Sequence, residues 1–552
     1  MLFARALLLA AAASVTSVAA VPAQIPADTA ALIDRVFSAV NRTDAPGCVL
    51  GVDRGGRPLY RRGYGMASLE MATPMSEFSV VESGSVAKQF TAAAIAHLAG
   101  QGKLSLDDPI RKYIPELADY GAPVTIRMAL NHTSGIRDMW TLFVLAGQTP
   151  GSVLYSMDQA LRMVYRQREL NFPPNSQFLY SNSGFLLLAE VVQRVSGMPL
   201  SRYSQEYFFQ PLGMTSTQWR DDWNRVVPGR VTAYTTASNG YRVEMPFMSV
   251  YGAGGLLTTV GDLLKWNQNL EDPQVGGRDW AAQMHQRGRL TSGREIEYAL
   301  GLFVTSYRGE REISHGGATG GYRTFLARWP DRKLSIAVLC NAANAGPENL
   351  AHRVVDVFLG ARPAAAAANT TAPATGDVTA YLGRFRAPAT EELLTVASRD
   401  GRLFAEFGGR AELQPAGPDR FRATAAPVEV AFRRGGDGKV AGLALVLSES
   451  DTTLYDRLEV PATTAAELAP LTGTYFSPEL DVRYTLAAKD TTLTVTIDDQ
   501  PARDLVRTGP DSFAQPGGLA LRMTRARNGR PDGFLLFAGR VKNLRFGKVM
   551  TR

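Results

Sequence analysis

The stretch ESGSVAKQFTAAAIAHLAG, Glu82 to Gly100, decides how the first part of this 552-residue chain is read. The Ala-rich run after Lys88 reads as a helix, and two accounts of its start compete. Serine favours helix N-termini because its hydroxyl satisfies an orphan backbone N–H, so Ser85 can be an ordinary cap. Alternatively Ser85, three residues before Lys88, shares a helix face with it about one turn away and acts as a nucleophile. A serine hydroxyl barely ionises near neutral pH, so it needs a base or the field of a helix N-terminus. Lys88 can accept its proton only if the ammonium is destabilised. Bringing its pKa from ~10.4 to ~7.5 removes about 4 kcal/mol of preference for the charged form. Burial against the Ala-rich face, with polar partners, can supply that. In the other assignment Lys88 stays charged, lowers Tyr180, and Tyr180 is the base. The sequence leaves both open.

Two further triplets join Ser85-x-x-Lys88, namely Tyr180-Ser181-Asn182 and His315-Gly316-Gly317. The chain contains no other Ser-x-x-Lys, Tyr-x-Asn or His-x-Gly, and lysine is scarce, nine residues against fifty arginines. A chance lysine at that offset is correspondingly improbable. Asn182 offers a donor and an acceptor, which suits orienting Lys88 and a substrate carbonyl. The loop HGGATGG, His315 to Gly321, lets backbone approach a ligand closely and offers N–H groups near a strand edge, one of which, paired with that of Ser85, could form an oxyanion hole.

Working outward, the chain divides by composition. Residues 24–360 mix helical and strand patterns, with helices from Ser85, Ser183 and Val260. GCVLGVDRGGRPLYRRGYG, Gly47 to Gly65, reads as two strands about a Gly-Gly turn. YRTFLARWPDRKLSIAVLCNA, Tyr322 to Ala342, reads as two more joined at Pro-Asp. The expected fold is α+β, helices packed on an antiparallel sheet that contains the first and last strands. If those strands pair antiparallel, Cys48 and Cys340 come close. An Ala/Pro/Thr-rich linker over 361–379 separates this region from an all-β one. There VRYTL (Val482–Leu486) and LTVTI (Leu493–Ile497) alternate as strands do. Landmarks repeat: Gly383 with Gly473 and Asp400 with Asp490 at an offset of 90, Asp419 with Asp511 at 92, Gly438 with Gly529 at 91. They give tandem repeats over 380–460 and 466–552, barrel-like, whether as two barrels or one shared.

The N-terminus reads as a signal peptide over 1–20: Arg5, then the apolar run Ala6 to Val18, then small residues ending at Ala20. No later run reads as a transmembrane anchor, so an exported, periplasmic or secreted protein is expected. The net charge of +7 is spread without a basic patch, which argues against nucleic acid. His97, His285 and His352 lack metal-ligand spacing, His132 reads as a turn-fixing residue, and no cofactor is implied. Tyr251-Gly-Ala-Gly-Gly lacks the Lys-Ser/Thr of a phosphate cradle.

The motifs SVAKQFT, LNHTSGI, FLYSNSGFLLLAEVVQRVSGMPL, PLGMTST, GAGGLLTTVGDLLKW and SHGGATGGYRTFL, in this order, resemble the serine β-lactamase/penicillin-binding protein superfamily. The likeness covers Asp28 to Leu359 and is nearest to the class C-like branch of esterases and D-aminopeptidases. It implies that Ser85 is acylated, that Lys88 and Tyr180 share general acid/base work, and that Asn182 positions substrate. It implies oxyanion donors at Ser85 and Ala318, and His315 where many relatives carry the lysine of Lys-Thr-Gly. A histidine there is only partly charged near neutrality, which disfavours potent β-lactamase action and favours a small ester, amide or peptide substrate. D-aminopeptidase or DD-carboxypeptidase action on cell-wall peptides is the second expectation, with Arg323 a candidate carboxylate binder. A catalytically silent binding protein on the same fold is the rival of another class.

Overall fold

The structure, a computed structural model, describes residues 25–149, 151, 153–360, 378–406, 409–423, 428–446, 452–460, 462–498 and 500–549. The expected signal segment and most of the expected linker lie outside them. The first region is built on six antiparallel strands: β1 (Cys48–Arg54), β2 (Arg57–Tyr64), β3 (Phe303–Tyr307), β4 (Glu310–Thr319), β5 (Tyr322–Trp329) and β6 (Leu334–Cys340). Their order is β3-β4-β5-β6-β1-β2, so the first strand of the chain closes against the last of the region. Strand periodicity sends alternate residues to opposite faces. Leu50, Val52, Ile336 and Val338 pack with helices α1 (Ala27–Val36) and α5 (Pro347–Leu359). Val49, Ala337 and Leu339 join the core that holds α2 (Lys88–Gly100), α3 (Asn182–Ser196) and α4 (Val260–Glu271). Gly51 lets α4 lie close, since a Cβ there would stand 2.7 Å from Leu264 Cδ1. Cys48 and Cys340 are register partners across β1 and β6 and form a buried disulfide on the α1/α5 face.

α2 is buried on nearly all sides, from Lys88 to Ala96 and at Leu98, and packs on α3. Its cap position is Ala87, with no side-chain cap hydrogen bond, and Ser85 sits two residues earlier in a 3-10 turn, Gly84–Ala87. The capping account of Ser85 therefore has no geometry behind it.

The β-rich region forms two closed barrels of eight antiparallel strands each, one from Gly383–Arg386 to Thr452–Leu458 and the other from Gly473–Ser477 to Val541–Lys548. The duplication extends to detail. Asp400 and Asp490 take left-handed turn conformations, φ 51° and 54°. Asp419 pairs with Arg434 in the first barrel as Asp511 does with Arg525 in the second. The interior of the first barrel is a separate core, whereas that of the second is continuous with the helical core of the first region.

Candidate active site

Ser85, Lys88, Tyr180, Asn182 and His315 are brought together from the 3-10 turn and start of α2, the approach to and start of α3, and β4. Lys88 is fully buried at the start of α2. Its Nζ lies 2.8 Å from Asn182 Oδ1, 2.6 Å from the Ala253 carbonyl and 3.1 Å from Ser85 Oγ. Burial holds its pKa well below the usual lysine value, the positive charge of Arg540 pushes the same way, and Asp138 opposes. A neutral amine has two N–H donors and one lone pair. Asn182 and Ala253 take the donors, and the lone pair is left for the Ser85 hydroxyl. Thr91 Oγ1 donates to the Gly252 carbonyl at 2.7 Å, which ties the GAGG loop to α2.

Asn182 owes its orientation to Asp138. One carboxylate oxygen of Asp138 accepts from Asn182 N and Nδ2, both at 2.7 Å, so Asn182 Oδ1 must face Lys88. The other oxygen accepts from Thr141 N and caps the helix Met139–Leu145.

Tyr180 is half-buried, with its hydroxyl enclosed and making no hydrogen bond among the described residues. Burial pushes the phenol well up, while the nearby Ser85 hydroxyl and Arg540 pull it partway back. It stays protonated at neutral pH. Its ring lies 4.0 Å from that of His132, with Lys88 Nζ 4.8 Å and the Arg540 guanidinium 4.7 Å from its centroid. His132 does occupy a turn, at φ 59°, and its Nδ1 accepts from Ser181 N–H at 3.1 Å, which sets the approach to Tyr180.

His315 is buried, and burial with the Lys88 charge lowers its pKa to about 3. The Gly316 carbonyl, 2.6 Å from Nδ1, can only accept, so Nδ1 carries the proton and Nε2 accepts from Tyr298 O–H at 2.8 Å. It is thus neutral, beyond the partial charge expected. Arg323, the candidate carboxylate binder, is turned away: its guanidinium donates to the carbonyls of Gly320 and Tyr322.

Gly316 and Gly317, expected in a loop, lie in β4, paired with β5, and this end of the strand lies against the serine turn. A Cβ on Gly317 would fall 2.1 Å from Ser83 O, and one on Gly84, whose φ is 52°, would fall 2.5 Å from Ala318 N. Only hydrogen fits at these contacts. Thr324 Oγ1 donates to Ser83 O at 2.7 Å, so β5 holds the same turn.

A sequence model of the Beta-lactamase family matches residues 33–360, more than half of the chain. The chain belongs to the beta-lactamase family. Within this family of serine hydrolases, it is 25% identical over 462 residues to a D-aminopeptidase of Cereibacter sphaeroides, covering 83% of this chain and 85% of that protein. It is 28% identical over 415 residues to Penicillin-binding protein 4* of Bacillus subtilis, covering 71% and 90%. The fold is similar to that of the octameric penicillin-binding protein homologue from Pyrococcus abyssi (TM-score 0.55, 21% identity, 78% of this chain and 99% of that one). It is also similar to the D-amino acid amidase from Ochrobactrum anthropi SV3 (TM-score 0.53, 19% identity, 60% and 99%).

Three contributors escaped sequence reasoning. Asp138 reads only as a helix cap in GIRDMW, Tyr298 has no motif, and Arg540 comes from the other end of the chain. The second barrel presents Arg540 on the turn between its last two strands, Pro531–Ala538 and Val541–Lys548.

Proposed function

We propose that this beta-lactamase-family enzyme is an exported serine hydrolase that cleaves ester or amide bonds through a Ser85 acyl-enzyme. The observation that carries the reading is the placement of Lys88: a buried amine, its donors engaged by Asn182 and Ala253, beside the Ser85 hydroxyl. Ser85 Oγ attacks the substrate carbonyl and its proton passes to Lys88 Nζ. The N–H groups of Ser85 and Ala318 hold the oxyanion, each such donor being worth about 3 kcal/mol in the barrier. As the carbonyl–leaving-group bond breaks, Tyr180 O–H protonates the departing oxygen or nitrogen, and the Lys88 ammonium restores the phenol. Water then attacks the acyl-enzyme with Lys88 again taking its proton, and as the acyl C–O bond to Ser85 breaks that proton passes to Ser85 Oγ and the carboxylic acid leaves. The depressed Lys88 and raised Tyr180 favour Lys88 as the acylation base. His315 and Tyr298 shape the wall beside Tyr180 without contributing charge.

D-aminopeptidase or DD-carboxypeptidase action is the second reading, supported by the likeness to the D-aminopeptidase of Cereibacter sphaeroides and to Penicillin-binding protein 4* of Bacillus subtilis. Export is supported by the composition of residues 1–20 and by the Cys48–Cys340 disulfide, which needs an oxidising compartment. N-terminal sequencing of the exported protein is expected to start at Val21.

The test of the chemistry is the intact mass of the full-length mature protein after treatment with a fluorophosphonate, with Ser85→Ala alongside. One adduct on the wild type and none on the variant is expected, with loss of hydrolysis in the variant. Ester turnover retained by Ser85→Ala removes the assignment, and a wild type inert to probe and esters alike points to the silent binding protein.

A further inference from the structure

The basic groups at the site differ in one respect. Lys88, His132 and His315 are buried and held toward neutrality. Arg323 is bonded to its own turn. Arg540 alone of these is exposed, and its guanidinium makes no hydrogen bond or ion pair with another described residue; it rests over the Tyr180 ring. The nearest carboxylate of the site, Asp138, has both oxygens engaged by Asn182 and Thr141.

The position of this guanidinium is built by docking. The Arg540 carbonyl accepts from Asn171 Nδ2 at 3.0 Å, with a longer contact to Asp138 N. Asn171 Oδ1 accepts from Lys542 N–H at 2.7 Å, and Arg137 donates to the carbonyls of Lys542 and Asn543. The turn is thus fastened to the segment that holds Asp138, one hydrogen bond away from Asn182. A guanidinium with five donors, without a partner among the described residues and seated on an aromatic face near Lys88 and His315, which burial holds toward neutrality, is suited to a carboxylate.

We propose that Arg540 is a specificity-determining residue of the catalytic cleft, supplied by the second barrel, that selects substrates carrying a carboxylate on the leaving-group side of the scissile bond. The side follows from Tyr180, which protonates the leaving group and on which Arg540 sits. The proposal rests on the acyl-enzyme reading above.

The test uses two thioesters with one acyl group, one releasing mercaptoacetate and the other mercaptoacetamide. Hydrolysis breaks the same acyl C–S bond in each, water supplies the hydroxyl to the acyl carbon and a proton to the thiolate, and a thiol reagent reads both. The wild type is expected to prefer the charged leaving group. In Arg540→Gln the charged-to-neutral ratio of kcat/KM, taken on each variant's pH plateau, falls about tenfold or more. Arg540→Lys restores part of it, and Arg540→Glu lowers it further. A wild type without the preference, or a ratio unmoved in Arg540→Gln while Ser85-dependent turnover persists, overturns the proposal alone. Absence of Ser85-dependent turnover of either thioester fails the reading beneath it and removes both.

Discussion

Lys88 has two N–H donors in its neutral form, and the site gives it two acceptors and one hydroxyl. The amine is the active form, so acylation should rise with pH through a pKa well below the ordinary 10.5 and then level. Because the Arg540 charge contributes to that depression, Arg540→Gln should move the rising limb to higher pH, measured by rapid-mixing acylation across pH. Lys88→Ala should slow acylation about 100-fold or more at neutral pH. Gly317→Ala forces its new carbon onto Ser83 O, and about 1–3 kcal/mol of stability and most activity should be lost together, by urea denaturation and ester assay. At this scale Ser85, Lys88, Tyr180, Asn182 and His315 were legible because short fixed offsets expose them. Asp138 and Arg540 were not, since each meets these residues from a distant part of the chain and belongs to no local pattern.

The elements were legible where periodicity is strict. β1 and β6 alternate their apolar residues between two cores, and the pairing of first and last strands brings Cys48 opposite Cys340. The bridge joins residues 292 apart in a buried sheet, so it constrains a long loop of the unfolded chain. Replacing both cysteines with alanine should cost about 2–4 kcal/mol by chemical denaturation. The 3-10 turn at Ser85 was less legible than α2 itself. Its bend comes from contact with the 317–318 backbone, a tertiary requirement that helix propensity does not report.

For the whole molecule, the repeat of about ninety residues was visible, but closure into two barrels was not. Closure depends on pairing the first strand of each unit with its last, Arg384 with Leu458 and Tyr475 with Lys548, and a repeat period does not encode that. Nor did composition show that the second barrel, rather than the adjoining first, shares the catalytic core. Arg137 shows the join: fully buried, it pairs with Glu479 at 2.7 Å and donates to the hairpin that carries Arg540. Glu479→Ala would leave that guanidinium buried and unpaired, a cost of about 3–5 kcal/mol. It should also loosen the second barrel, detected as faster proteolysis between the barrels and the catalytic region.

The most direct test of the central claim, that a neutral Lys88 activates Ser85, is the pH dependence of fluorophosphonate labelling of Ser85 by intact mass. The account predicts a labelling rate that levels off well below pH 10.5 and is lost in Lys88→Ala. A rate that keeps climbing to the ordinary lysine pKa of 10.5, or that survives Lys88→Ala, would contradict it.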